Sequence, residues 1–414
     1  MYKPLTACRA CPGGRMAKSK SDDPSRLLEV FDMGLQPLAN DFVVPGDERA
    51  GFAPLKVMFC PNCGLAQLSV VVRPDILYKN YNYVTSPSET MMQHFIMLWR
   101  EITQETEVHQ ILEIGSNDGA FLQFAKQNGA QMVVGVDPAE NLAAIANDKG
   151  IFTYASPFDS KAASMIALSN PSLDVIVARH VFAHVDNWHE FVESLDKVAY
   201  KETLIVIEVP YVLDLLEHGQ FSTIYHEHLS YVNLHAIRWL LDGTPFQMHK
   251  VLRCELHGGS VIIMLRRRDY GIDPHPSVRE LLKDEHINPE DWSRRFKEKC
   301  LKRTRDLSDL MFNLVLRKKR IVGFCASAKS TVWINTMKFS RRELDFIVDC
   351  TPQKQGKLAP GTNIPIVDPG ALLREQPDYA ICFASGYREE ILKNNKQFEG
   401  QFIFPEPRLE IIRA

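Results

Sequence analysis

Between residues 105 and 265, short apolar runs alternate with segments whose apolar positions recur at helical spacing, which predicts strands and helices taken in turn. From Ile321 the pattern returns. IVGFC reads as a strand, a helix runs through Ser330 and Met337, and DFIVD, YAICFAS and QFIFP read as further strands. Strands this apolar, separated by helices, predict parallel sheets covered on both faces. The stretch from Pro274 to Arg320 is charged with apolar residues at helical spacing, so it predicts helices that pack beside a core or link domains. The first segment has turn residues and short apolar runs without the alternation. The expected division is 1–75, 76–268 and 269–414, with no short-period repeat or low-complexity segment.

Length agrees with that division, because 414 residues exceed what one hydrophobic core organises. With 45% hydrophobic and 24% charged residues the chain reads as globular. A net charge of -3 gives no general attraction for a polyanion, which disfavours nucleic acid as a partner. The start, MYKPLTACRACPGG, lacks the cationic and apolar regions of a secretory signal. No apolar run approaches the roughly 18 residues of a membrane span, so no membrane association and a cytoplasmic location are expected.

Nine cysteines, an odd number in a long chain, argue for thiols rather than a disulfide framework. Four of them pair as Cys8 with Cys11 and Cys60 with Cys63, each C-x-x-C. Two residues between thiolates let one tight turn aim both sulfurs at one ion, and two such knuckles complete the tetrahedron of a structural zinc. The 48 residues between Cys11 and Cys60 exceed an ordinary ribbon, so an insertion must fill the gap. The competing reading is four unrelated buried cysteines. Cys254, Cys300, Cys325, Cys350 and Cys382 look isolated and are expected to act as small apolar residues.

The segment HQILEIGSNDGAFLQFA combines an apolar strand, a turn with Gly115 and Gly119, and a helix. Glycines permit the tight turn and a close backbone approach to a nucleoside-bearing ligand. In VVGVDP, Asp137 ends a second strand where a carboxylate can accept both ribose hydroxyls, with Pro138 after it. A dinucleotide fingerprint would place a second glycine where Asn117 stands, to bring pyrophosphate onto the helix N-terminus. Asp118 follows, and with Glu113 and Ser116 beside the turn the acidic set suits the sulfonium and amino group of S-adenosylmethionine instead. A purely structural strand-turn-helix is the alternative.

With GSNDG and VDP in place, three later motifs carry a resemblance: ARHVFAHV (Ala178–Val185), EVPY followed by FSTIYHEHLSY (Glu208–Tyr211 and Phe221–Tyr231), and HGGS (His257–Ser260). Together they resemble the sugar C-methyltransferases that build branched-chain deoxysugars. The likeness extends to the C-terminal motifs GFCASAKS and DCTPQKQGKLAPGTNIPI. It implies an α/β fold: a class I methyltransferase (Rossmann-like) domain between a small N-terminal zinc-binding domain and a C-terminal Rossmann-like domain. It also implies methylation of a carbon beside the carbonyl of a dTDP- or GDP-linked 4-keto-6-deoxyhexose, with S-adenosylmethionine and structural zinc as cofactors.

By that resemblance His228 is the general base, Glu227 and Tyr225 support it, and His184 ends the earlier loop. Imidazole suits the task, with an unperturbed pKa of about 6.5. Tyr83 falls where the family has an active-site tyrosine able to donate to an enolate oxygen, with Tyr81 as rival. His226 stands where the resemblance expects an aspartate, which leaves the roles of His226 and His228 undivided. A metal site at HEH is disfavoured because its histidines are only two apart. Lys329, near a helix start after Gly323, could hold the substrate's diphosphate, or the C-terminal unit could be a duplicate that only packs. Other functions kept open are O- or N-methylation of a small molecule and non-catalytic ligand binding by a zinc-ribbon protein.

Overall fold

The computed structural model of the chain describes residues 1–11, 27–78, 88–170, 172–285 and 288–414. Three main sheets organise them. The middle one has seven strands in the order Phe246–Cys254, Ser260–Arg267, Leu204–Pro210, Val175–Arg179, Gln110–Ile114, Met132–Asp137 and Thr153–Ala155. The last five run parallel, and the first two close the edge antiparallel.

The apolar runs follow from burial on both faces. Leu112, Ile114, Val134, Val136, Ile205 and Ile207 face one layer, whereas Ile111, Val133, Val175, Val177 and Val206 face the helices Glu89–Glu105 and Ala120–Gln127. The central strand, Gln110–Ile114, has Met132–Asp137 on one side and Val175–Arg179 on the other. Strand order reverses there, which opens a crevice at the carboxyl ends where ligands bind in such sheets. This is the expected class I methyltransferase fold.

The C-terminal sheet repeats the plan with six strands: Ile366–Val367, Ile347–Val348, Ile321–Phe324, Tyr379–Cys382, Gln401–Phe404 and Glu410–Arg413. Only the last pairing is antiparallel. Cys325 and Cys382, which the sequence presents as isolated, lie at the ends of neighbouring strands. Their thiols hydrogen-bond, which together with burial holds the Cys325 thiol well above its usual pKa.

The N-terminal sheet is antiparallel, in the order Ser230–Tyr231, Ala66–Leu68, Phe52–Phe59 and Leu28–Pro37. In Phe52–Phe59 every second residue is buried, as one-faced burial requires. Its first strand, Ser230–Tyr231, comes from the middle of the chain, where the sequence division expects it to belong to the methyltransferase segment. Leu229 and Tyr231 share one core with Val57 and Phe59, with Trp292 and Phe296 of the helix Pro289–Leu316, and with Ile321 and Ile381.

Candidate active site and metal centre

Cys8, Cys11, Cys60 and Cys63 present four sulfurs within 4.8 Å of one another. Cys8 and Cys63 are 3.5 Å apart and Cys11 and Cys60 are 3.8 Å apart, far beyond the disulfide length of about 2.05 Å. Zinc–sulfur bonds of about 2.3 Å in a tetrahedron put sulfurs roughly 3.8 Å apart, so the cluster fits the structural zinc that the spacing predicts. Four thiolates leave no position for water. The long gap between the knuckles holds Leu28–Pro37 and Phe52–Phe59. Arg9, between the first two thiols, donates to Leu229 O at 3.0 Å and reaches Asp186 Oδ1 at 3.3 Å.

At the glycine turn, Gly115 has φ 67° and Asn117 has φ 52°. A Cβ on Gly115 would lie 2.1 Å from Val181 Cγ2, which is why only glycine fits. Asp137 is fixed at both oxygens, Oδ2 accepting from Asn117 N and Oδ1 from Ala139 N, each at 2.8 Å. Pro138 between them has no N–H to offer. Burial pushes the Asp137 carboxyl upward.

Glu113 accepts from Arg179 Nε at 2.9 Å and Nη2 at 2.6 Å, and that guanidinium lies 4.5 Å from the Phe121 ring centroid. Burial nevertheless pushes Glu113 up to about 7. Asp118 is neutralised by Lys149 at 2.6 Å. The acidic set is therefore partly occupied within the protein. Glu113 Oε2, Ser116 Oγ and Asp118 Oδ1 are buried with no hydrogen-bond partner among the described residues. Orphaned atoms around a glycine turn are what a polar ligand would satisfy, so the residues fit S-adenosylmethionine.

The motif FSTIYHEHLSY forms a buried loop. His228 Nδ1 donates to Thr223 O at 2.9 Å, which fixes the tautomer and leaves Nε2 as acceptor for the Tyr225 hydroxyl at 2.7 Å. The His184 ring centroid is 5.2 Å from that of His228, and Tyr78 Oη lies 3.3 Å from His184 Nδ1. Burial lowers His228 well below the usual range, and burial with His180 lowers His184 to about 4. Both rings are neutral at neutral pH.

His226 turns the other way and donates from Nε2 to Ala53 O at 3.3 Å, so the two histidines of HEH do not face one site. Glu227 Oε1 accepts from Asn40 Nδ2 at 2.8 Å, and burial pushes this carboxyl to about 7. Tyr83 and its rival Tyr81 lie outside the described residues.

Some neighbours escaped the sequence reading. Glu208, fully buried, has His94 Nε2 at 2.9 Å and His180 Nε2 at 3.4 Å. Burial alone would raise its pKa, but the two imidazoles outweigh that and hold it well below the carboxylate range. A lone acid inside the apolar strand LIVIEVP was the available signal. Arg179 and Val181 lie in the quoted motif ARHVFAHV but were given no role there, and Asn40 gave no signal. In the C-terminal unit, Asp349 accepts from Ala326 N at 2.7 Å and Thr351 N at 2.8 Å, the same arrangement as Asp137.

Comparison with known proteins matches residues 255–407 to a C-methyltransferase C-terminal domain, 92–251 to a methyltransferase domain and 23–78 to a zinc binding domain. The chain is 32% identical over 425 residues to C-methyltransferase NovU of Streptomyces niveus, a match covering 100% of this chain and 98% of that one. Among solved structures, a SAM-dependent methyltransferase from Archaeoglobus fulgidus is 19% identical, with 42% of this chain and 94% of that chain covered at a TM-score of 0.34. Protein PH0226 of Pyrococcus horikoshii OT3 is 11% identical, with 47% and 96% covered at 0.37.

Proposed function

The chain belongs to the C-methyltransferase family, and from that premise we propose that it methylates the carbon beside the keto group of a nucleotide-linked 4-keto-6-deoxyhexose, in the synthesis of a branched-chain deoxysugar. The observation that carries the reading is the loop after Val175–Arg179. At one end Val181 lies against Gly115 of the cofactor turn, and at the other His184 lies against His228. Four residues of chain link methyl donor to base, as a transfer between bound reactants requires.

Bound S-adenosylmethionine supplies an electrophilic methyl for the enolate carbon to attack. Glu113, Gly115, Ser116, Asn117, Asp118, Gly119, Asp137 and Pro138 would form its pocket, with Asp137 accepting from the ribose. The Tyr225 hydroxyl that donates to Nε2 gives way to the bound sugar, His228 Nε2 then takes the proton from the carbon, and the C–H electron pair becomes the enolate. Thr223 O, already bonded to Nδ1–H, shares the charge the ring then carries. The low proton affinity of the buried ring keeps Nε2 free of a proton before the reaction. Tyr225 orients the ring, and Tyr83, which lies outside the described residues, would by the family resemblance donate to the enolate oxygen.

The doubled Asp349 arrangement supports a nucleoside-bearing substrate on the C-terminal unit, with Lys329 for its diphosphate. Among the described residues no helix is long and apolar enough to cross a membrane.

A panel of dTDP- and GDP-linked 4-keto-6-deoxy sugars, incubated with enzyme and labelled S-adenosylmethionine, should give a gain of one methyl on carbon by mass spectrometry and NMR. His228→Asn should lower kcat by roughly 10³-fold with cofactor affinity unchanged. Label on oxygen, or an active His228→Asn enzyme, would overturn the proposal.

A further inference from the structure

We propose that Asn40, in the zinc-bearing unit, is a positioning residue of the acceptor site, holding Glu227 by one carboxyl oxygen so that the other meets a hydroxyl of the bound sugar. The inference rests on the proposed function for the ligand being a sugar. Its basis is geometric. Asn40 Nδ2 donates to Glu227 Oε1 at 2.8 Å across 187 positions of sequence, while Glu227 Oε2 is sealed from solvent with no partner among the described residues. A buried carboxyl with one oxygen satisfied and one open is built for a donor that arrives later.

The surroundings fix that open oxygen in place. Thr331 Oγ1 donates to Ala39 O at 2.9 Å, pinning the residue before Asn40 to the helix Ala328–Thr336 of the C-terminal unit. On the loop itself, His226 bonds Ala53 O at 3.3 Å, while Leu229 O accepts from Arg9 at 3.0 Å and from Leu68 N at 2.9 Å. The residues flanking Asn40 and Glu227 are thus tied down, and the Glu227 side chain can turn away only by giving up its bond to Asn40. It is the residue before His228 on the same buried loop, so the hydroxyl it meets is sought on the sugar that the loop faces. Burial pushes the carboxyl to about 7, and near neutral pH either protonation form pairs with a hydroxyl, the acid donating and the carboxylate accepting.

The test uses the full enzyme with S-adenosylmethionine and whichever keto sugar the panel identifies, starting from dTDP-4-keto-6-deoxyglucose. Asn40→Leu should raise KM for the sugar by about tenfold or more, with zinc content and cofactor affinity as in the wild type. Asn40→Gln should recover part of the loss, and the double variant Asn40→Leu/Glu227→Gln should be no worse than Glu227→Gln alone. Unchanged KM in Asn40→Leu, multiplying effects in the double variant, or loss of zinc or cofactor binding would each overturn the assignment. If the wild type methylates no sugar in the panel, the proposed function falls and takes this inference with it. If the wild type turns over and the Asn40 variants match it, this inference alone falls.

Discussion

His226 and His228 stand two positions apart and are both depressed by burial, yet they answer to different partners. His228 has Thr223 and Tyr225 at its two nitrogens, whereas His226 reaches across to Ala53 of the N-terminal sheet. A motif with two imidazoles does not say which one turns inward, because the choice is made by a strand more than 170 positions away in sequence. The consequence for stability has a definite sign. His226 falls from 6.5 to about 4 on folding, so the unfolded chain binds its proton first and stability is lost as pH drops through that window. Between pH 7.5 and 5 the His226→Gln variant should lose roughly 2 kcal/mol less stability than the wild type. Urea unfolding at the two pH values measures this. Parallel losses in both proteins would show that the buried ring is not the cause.

The strand, glycine turn and helix around Gly115, proposed to hold the cofactor, were legible as an element because their signals are local. Glycines at Gly115 and Gly119, an apolar strand before them and an acid at Asp137 all fall within one strand-turn-helix-strand unit, where spacing alone fixes the relation. What spacing could not give is the load on each glycine. Gly115 faces Val181 from the next parallel strand's loop, whereas Gly150, also at positive φ, has nothing within 4 Å of an added Cβ. Gly150→Ala should therefore show only the backbone cost of about 1 kcal/mol. Gly115→Ala adds overpacking of about 1–3 kcal/mol and should weaken S-adenosylmethionine binding at least tenfold, as the turn moves off Val181. Calorimetric affinities and thermal midpoints of both variants separate the two terms, and Gly115→Ala/Val181→Ala should recover the packing part alone. Equal effects at the two glycines would mean the turn yields without disturbing the pocket. The acids beside the turn were similarly half legible: the sequence offered Glu113 and Asp118 as ligand groups, and Arg179 and Lys149, which occupy them, come from elsewhere.

At the scale of the whole molecule, the cysteine cluster and the loop carrying His228, the proposed base, are mechanically one object. The four cysteines could be read from their C-x-x-C spacing, since ligand geometry is a local property of each knuckle. The strand Ser230–Tyr231 could not be assigned to their sheet, because two residues carry no periodicity and their pairing partner lies far earlier in the chain. That pairing, with Arg9 on Leu229 and Asn40 on Glu227, hangs the loop carrying His228 on the metal-bearing unit. The cofactor turn instead belongs to the seven-stranded sheet and takes its contacts from Val136, Asp137 and Val181. Removing zinc should thus separate methyl transfer from cofactor binding. Cys60→Ser, or a thiol reagent with a chelator, should release about one zinc per chain and lower methyl transfer by roughly 10²-fold, the span expected when catalytic groups lose their orientation. Affinity for S-adenosylmethionine, read by calorimetry on the same samples, should stay within about twofold, because the pocket's own supports are untouched. A parallel fall in both would show that the zinc unit stabilises the molecule as a whole rather than the loop carrying His228, and full turnover without metal would cut the link between them.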